Sequence, residues 1–114
     1  MQTIGKKGEE LAVHHLRRQG WRICARNYRY KRSEIDIICQ SEQLLLFVEV
    51  KSRSSTAYGF PELFVQKRQQ HAILRAATHY VDEQQWKGGI RFDIIAIVFS
   101  KKGQELLHLK DAFY

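Results

Sequence analysis

At 114 residues, 44% hydrophobic and 27% charged, the chain has the size and composition of one folded domain spanning 1–114, which excludes a disordered or fibrous protein. A chain of this length buries roughly two-thirds of its unfolded surface, so its core needs no disulfide or metal staple. Nineteen Lys and Arg against twelve Asp and Glu leave a formal charge of +7, which favours a polyanionic partner: nucleic acid, an acidic membrane or an acidic protein.

The N-terminal stretch "MQTIGKKGEE" has no apolar h-region, and the longest apolar run, "IIAIVF" at 94–99, is too short to span a bilayer. Neither a secretory signal nor a membrane span is expected, and the expected location is the cytoplasm. Cys24 and Cys39 show no metal or redox spacing and read as reduced, buried thiols.

Residues 3–19 read as a helix between a Thr3 N-cap and a Gly20 stop, with Ala12, Val13 and Leu16 as its apolar stripe. Gly5 and Gly8 each cost about 1 kcal/mol against Ala in a helix interior, so they mark either a frayed first turn or a face approached closely by another element. "WRICA" (21–25) alternates like a half-buried strand. "EIDIICQ" (34–40) and "LLLFVEVK" (44–51) follow as two more strands joined by a polar turn. Residues 52–62 read as a loop, and from about Pro61 or Gln66 to Trp86 the pattern is helical, broken by Gly88 and Gly89. "IRFDIIAIVF" (90–99) has the continuous apolar pattern of a strand covered on both faces, and "ELLHLK" (105–110) that of an edge strand. The order α-β-β-β-α-β-β, with a parallel crossover from 44–51 through 66–86 to 90–99, predicts an α/β fold with a mixed central sheet flanked by helices.

The charges in the central hairpin carry the chemistry. Residues i and i+2 of a strand share a face, so Glu34 joins Asp36 and Glu49 joins Lys51. An even-numbered turn makes opposed partners sum to 83 or 85, and either register brings Asp36, Glu49 and Lys51 to one side. A sum of 85 also sets Glu34 opposite Lys51. Facing carboxylates repel and raise one another's pKa, so such a patch calls for a cation. Lys51 supplies one, and Mg²⁺ suits the site because it takes one or two carboxylates plus water and phosphate oxygens. Glu9 lies on the inward stripe of the first helix, where it reads either as a further ligand, direct or through water, or as a first-turn acid favoured by the helix dipole. The bland alternative for the hairpin is a salt-bridged polar face, Glu34 with Lys51 and Glu49 with Arg29 or Arg32.

Asp36, followed thirteen residues later by Glu49-Val50-Lys51, resembles the D-(x)n-ExK core of the PD-(D/E)xK nuclease superfamily, and with Glu9 in the first helix it is similar to archaeal Holliday-junction resolvases. Across nearly the whole chain, "GKKGEELA", "NYRYKRSEIDII", "FVEVKSR", Lys67 with "AATHYV", and "RFDIIAIV" resemble the blocks of the YraN-like bacterial family of predicted endonucleases. Ser33 stands where that family usually has Gly. The resemblance implies a restriction-endonuclease-like αβββαβ core. It also implies that Asp36 and Glu49 bind Mg²⁺ (Mn²⁺ substituting), that Lys51 orients or activates the attacking water, and that Glu9 assists as a metal ligand. The reaction implied is phosphodiester hydrolysis in DNA, in branched, flapped or single-stranded structures.

Nucleic acid, DNA foremost, is the expected partner, with no membrane partner. The contacts are expected from Arg29 and Arg32, in a dense basic run interleaved with Trp21, Tyr28 and Tyr30, from Arg53 beside the E-x-K, and from Lys67. Trp21 itself reads as core. Arg68, His71, Arg75 and His79, at 3-4-4 spacing, read as a solvated helix face or as a ridge that tracks phosphates. Of the adjacent His14 and His15 at most one faces the core, and neither reads as a ligand. A homodimer is an assembly open to so small a nuclease, although no residue marks an interface. The competing expectations are a non-catalytic nucleic-acid-binding module on the same fold and a small subunit that docks an acidic protein.

Overall fold

The computed structural model describes residues 2–54 and 65–114. Among them, two helices and five strands follow in the expected order: α1 (Ile4–Arg18), β1 (Arg22–Tyr30), β2 (Ser33–Ser41), β3 (Leu44–Ser54), α2 (Lys67–Gln84), β4 (Gly89–Ser100) and β5 (Gly103–Leu109). The strands form one mixed sheet in the order β1-β2-β3-β4-β5, antiparallel except for the parallel pair β3–β4 that α2 connects. The loop expected over 52–62 starts later than read, because β3 pairs with β4 as far as Ser54; the rest of it, and a helix start at Pro61, lie outside the described residues. No helix among the described residues is long and apolar enough to cross a membrane.

The two helices cover opposite faces of the sheet, which explains why the central strands lack alternation. Leu45 and Phe47 of β3 pack with Ile73, Ala76, Ala77 and Tyr80 of α2. The intervening Leu46 and Val48 pack with Ala12, Val13 and Leu16 of α1. With both faces dry, positions along these strands are apolar except where a partner neutralises a polar group. Burying a side chain such as Phe47 contributes about 2 kcal/mol. Cys39 belongs to the same interior, and burial pushes its thiol up to about 12, whereas Cys24 is half-buried.

Local chemistry sets the helix ends. Thr3 Oγ1 accepts the Lys6 N–H at 3.1 Å and starts α1. At the other end Gly20 takes φ +97°, and the Trp21 N–H returns to the Leu16 carbonyl at 3.0 Å. α2 stops earlier than its sequence pattern suggests, at Gln84, because Gln85 adopts φ 51° and the Trp86 N–H closes on the Val81 carbonyl. Gly88 and Gly89 serve the start of β4 instead: the Gly89 N–H binds the Gln43 carbonyl at 2.7 Å, and a Cβ on Gly88 would run into that carbonyl.

β1 is longer than "WRICA" suggested and pairs with β2 as far as Tyr30↔Ser33. A register shift between Ile23 and Ala25 and φ 52° at Asn27 interrupt its alternation, so period-two reading loses it halfway. Cross-strand pairing on β2 holds the basic second half extended despite its polarity. β5 is the edge strand expected, antiparallel to β4.

Gly8 settles the question raised by the two early helix glycines. It is buried where α1 crosses β3, and a Cβ there would overlap Ser52 Oγ, whereas Gly5 faces open space. Gly8→Ala is therefore expected to destabilise the fold by about 1–3 kcal/mol through overpacking. Most of that loss should return in Gly8→Ala/Ser52→Ala, which removes the hydroxyl. Urea unfolding of the four-member cycle reads this coupling, and purely additive losses would contradict the close approach.

Candidate functional site

The β2–β3 register is Ile37↔Val48 through Ser41↔Leu44, a constant sum of 85 across a two-residue turn, one of the two registers expected. Its pairing then ends, while β3 continues along β4 to Ser54. Ile35 and Ile38 join the α2-side core and Ile37 the α1-side core, so β2 twists away around Asp36, opposite the left-handed Asn27 of β1. The two central strands fork at this point. Asp36 Oδ2 accepts the Val50 N–H at 2.7 Å, taking the place of a ladder carbonyl.

Glu49 stands next to Asp36 across the fork, and the two half-buried carboxyls share a hydrogen bond. Burial is the main reason that both bind protons tightly. Asp36 rises to about 6, with the Val50 N–H opposing and the charge of Glu9 adding. Glu49 rises to about 8, further lifted by the charge of Asp36 and by donating to it. The pair therefore holds a proton above the range in which either carboxyl alone would lose it. Gln69, in the first turn of α2, donates to Glu49 Oε2 at 2.6 Å, and the positive charge of Lys51 favours the ionised form of Glu49.

The structure brings Asp36, Glu49 and Lys51 together and leaves Glu9 within electrostatic reach of Asp36. Among the described residues, no three acidic, His or Cys side chains gather closely enough to form a ready metal cluster. The β2–β3 ladder ends before Glu34 would stand opposite Lys51, and Glu34 binds Arg29 of β1 at 2.8 Å. Arg32 is exposed in the β1–β2 turn, Arg53 is half-buried on β3, and Lys67 is exposed at the start of α2. Trp21 packs half-buried against the α1-side core. Of the helical ridge, Arg68, His71 and Arg75 are exposed, but His79 stacks on Tyr30 at 4.0 Å and meets the Tyr28 hydroxyl at 2.8 Å. Gln69 was missed by sequence reading, since one of several Gln in a polar helix start carries no periodic or charge signal.

These elements define a mixed α/β protein with a proton-sharing carboxylate pair at a fork in its central sheet. The model of the uncharacterised protein family UPF0102 matches residues 8–97, a span that includes the whole site. UPF0102 proteins from Christiangramia forsetii and Persephonella marina are 44% and 41% identical to it over 111 and 110 residues. These matches cover 97% and 96% of this chain and 93% and 91% of the relatives. One from Geobacter metallireducens is 40% identical over 112 residues, covering 97% of this chain and 92% of its own. The chain belongs to the uncharacterised protein family UPF0102.

The raised carboxyls give the fold a defined pH dependence. Each binds its proton more tightly folded than unfolded, so its stabilising effect is complete below the ordinary carboxylate range and is lost as pH rises through about 6 for Asp36 and about 8 for Glu49. Metal-free stability in urea is expected to fall from about pH 5 to about pH 8, and Glu49→Gln should exceed the wild type at the upper end by on the order of 1–3 kcal/mol. Parallel pH profiles for the two proteins would refute the buried, proton-sharing pair.

Proposed function

We infer that this protein is a metal-dependent nuclease of the PD-(D/E)xK kind, close to the YraN-like proteins, hydrolysing phosphodiester bonds in DNA on a restriction-endonuclease-like core. The observation that carries the reading is the Asp36–Glu49 pair at the fork, with Lys51 beside it. Two carboxyls forced to share a proton are short of positive charge, and a divalent cation supplies it without a proton. The donor set fits Mg²⁺, or Mn²⁺ in its place, through two carboxylates with water and phosphate oxygens completing the shell. Glu9, which reaches Asp36 by charge alone, would act through water.

Bound metal would neutralise the scissile phosphate and lower the pKa of a coordinated water. The chain's own contribution is positioning. The Val50 N–H fixes Asp36, and Gln69 fixes one oxygen of Glu49. Lys51 would orient the attacking water and stabilise charge on the phosphate. Arg53 on β3 and Lys67 at the start of α2 would take phosphates on either side, and Arg32 in the β1–β2 turn would extend the track. Arg29 would exchange its exposed bond to Glu34, a pair worth no more than about 1 kcal/mol, for a phosphate. Branched or single-stranded DNA is the expected substrate, and assembly as a homodimer on a symmetric junction belongs to the same reading.

A non-catalytic nucleic-acid-binding module is the alternative, favoured by the lack of a third gathered ligand among the described residues. Cleavage of a panel of flapped, branched and single-stranded DNA with Mg²⁺ or Mn²⁺ separates the two. Asp36→Asn and Glu49→Gln are each expected to lower the rate at least about a hundredfold while remaining folded by circular dichroism. Failure of the wild type to cut any member of the panel in either metal would overturn the nuclease reading. In melting curves, Mg²⁺ should raise the wild-type Tm more at about pH 8 than at about pH 6, because it competes with the shared proton, and should not raise that of Asp36→Asn/Glu49→Gln.

A further inference from the structure

Asp93, on the α1 side of β4, is fully buried yet ionised: burial opposes its charge, and hydrogen bonds from His108, Arg91 and the Asp111 N–H hold its carboxyl below the usual range. Arg91 binds both oxygens at 2.9 and 2.8 Å and spreads over the Trp21 ring. His108 Nε2 lies 2.7 Å from Asp93 Oδ2, and a carboxylate only accepts, so that nitrogen carries the proton. His108 Nδ1 in turn meets His15 Nε2 of α1 at 3.0 Å. The result is a chain of three side chains, Asp93–His108–His15, running from the core to the surface.

The surface end of that chain is concave and cationic. Two clefts flank the His15–His108 contact and share Gln19; His14, His15 and Arg18 line one, and Arg91, His108 and Lys110 line the other, with Glu42 of the β2–β3 turn as the acid. His15 is faced by Arg18 from its own helix and by His108 and Lys110 from the β5 side. Burial and the electrostatic influence of these three groups hold its pKa below the ordinary value. Arg91 is already neutralised by Asp93. Glu42 and Asp111 are the remaining acids nearby, and among the described residues neither Arg18 nor Lys110 has an ion-pair partner, so their convergence on His15 carries positive charge. His15 lies six residues beyond Glu9, about 9 Å along the axis of α1, so this is not the carboxylate site.

We propose that His15, Arg18 and Lys110 form a second binding site, for a phosphoryl anion, with Asp93 and His108 positioning the His15 ring. The anion is a phosphodiester of a nucleic-acid backbone or the phosphate of a free nucleotide; both present the same tetrahedral oxygens. Occupancy couples to a proton. With His15 charged and donating to His108 Nδ1, the relay holds one proton more than in its neutral form, so the anion favours the protonated form and binds more tightly as pH falls.

The test follows the imidazole resonances of all five histidines by NMR while the full chain is titrated with sulfate, inorganic phosphate or a short single-stranded oligonucleotide, at ionic strength matched with chloride. Saturable shifts at His15 and His108, absent at His71 and His79, are expected. Sulfate keeps its charge over the range, and its affinity should rise as pH falls from about 8 to about 6. His15→Gln and Lys110→Gln should each weaken binding about tenfold, and His15→Gln should remove the pH dependence. Asp36→Asn should bind as the wild type does, so failure of the nuclease reading leaves this site untouched. An oligonucleotide that moves the same two resonances identifies the backbone as the source, and shifts by inorganic phosphate and an added nucleoside monophosphate but not by the oligonucleotide identify a free nucleotide phosphate. Shifts shared equally by all histidines, no saturable shift at His15, or unchanged affinity in both variants would overturn the proposal.

Discussion

The fork in the central sheet depends on a side chain acting in place of main chain. A β-ladder supplies its strands with acceptors at fixed intervals, and where β2 leaves β3 that supply stops. The Asp36 carboxylate meets the Val50 N–H directly, so β3 stays extended along β4 while its other edge opens. Without that bond, the site would expose an unpaired amide where β3 enters solvent. With it, Glu49 and Lys51 project from a strand gripped on its β4 side. α1 closes down on the adjacent Ser52 through Gly8, and α2 brings Gln69 over Glu49.

Two buried acids in this small sheet meet opposite fates, and the contrast shows what sets carboxylate charge. Asp93 is the more buried, yet Arg91, His108 and a backbone N–H surround it with donors, and it stays ionised. Glu49 is less buried but has another carboxyl as its neighbour, and its pKa is raised. Burial opposes charge in both. The partners decide which acid yields, and so distinguish an acid that is fixed in place from one ready to exchange its proton for a cation.

Much of the fold was legible because its strongest signals are periodic. The α1 stripe, the Thr3 cap, the Gly20 stop, and the unbroken apolar runs of β3 and β4 each follow from local chemistry that tertiary contacts reinforced. An even turn at Glu42–Gln43 left two registers, both of which put Asp36 and Glu49 on one side, so their meeting followed from counting. Counting failed where the alternation itself failed. The irregular β1 hid its second half, the non-glycine αL residue at Gln85 ended α2 early, and the β2–β3 ladder stopped short of Glu34, which binds Arg29.

Sequence by itself determined which residues could form strands, which helix faces were apolar, and that two acids and a lysine would share one end of a hairpin. These are properties of spacing, and spacing is local. Tertiary structure alone decided that β2 and β3 part at that end, that Gln69 arrives from a helix twenty residues on, and that His15 and His108, 93 residues apart, touch over a buried Asp93. Such contacts depend on how the helices seat against both faces of the sheet. That seating is set by the packing of the whole core, which no window of sequence contains.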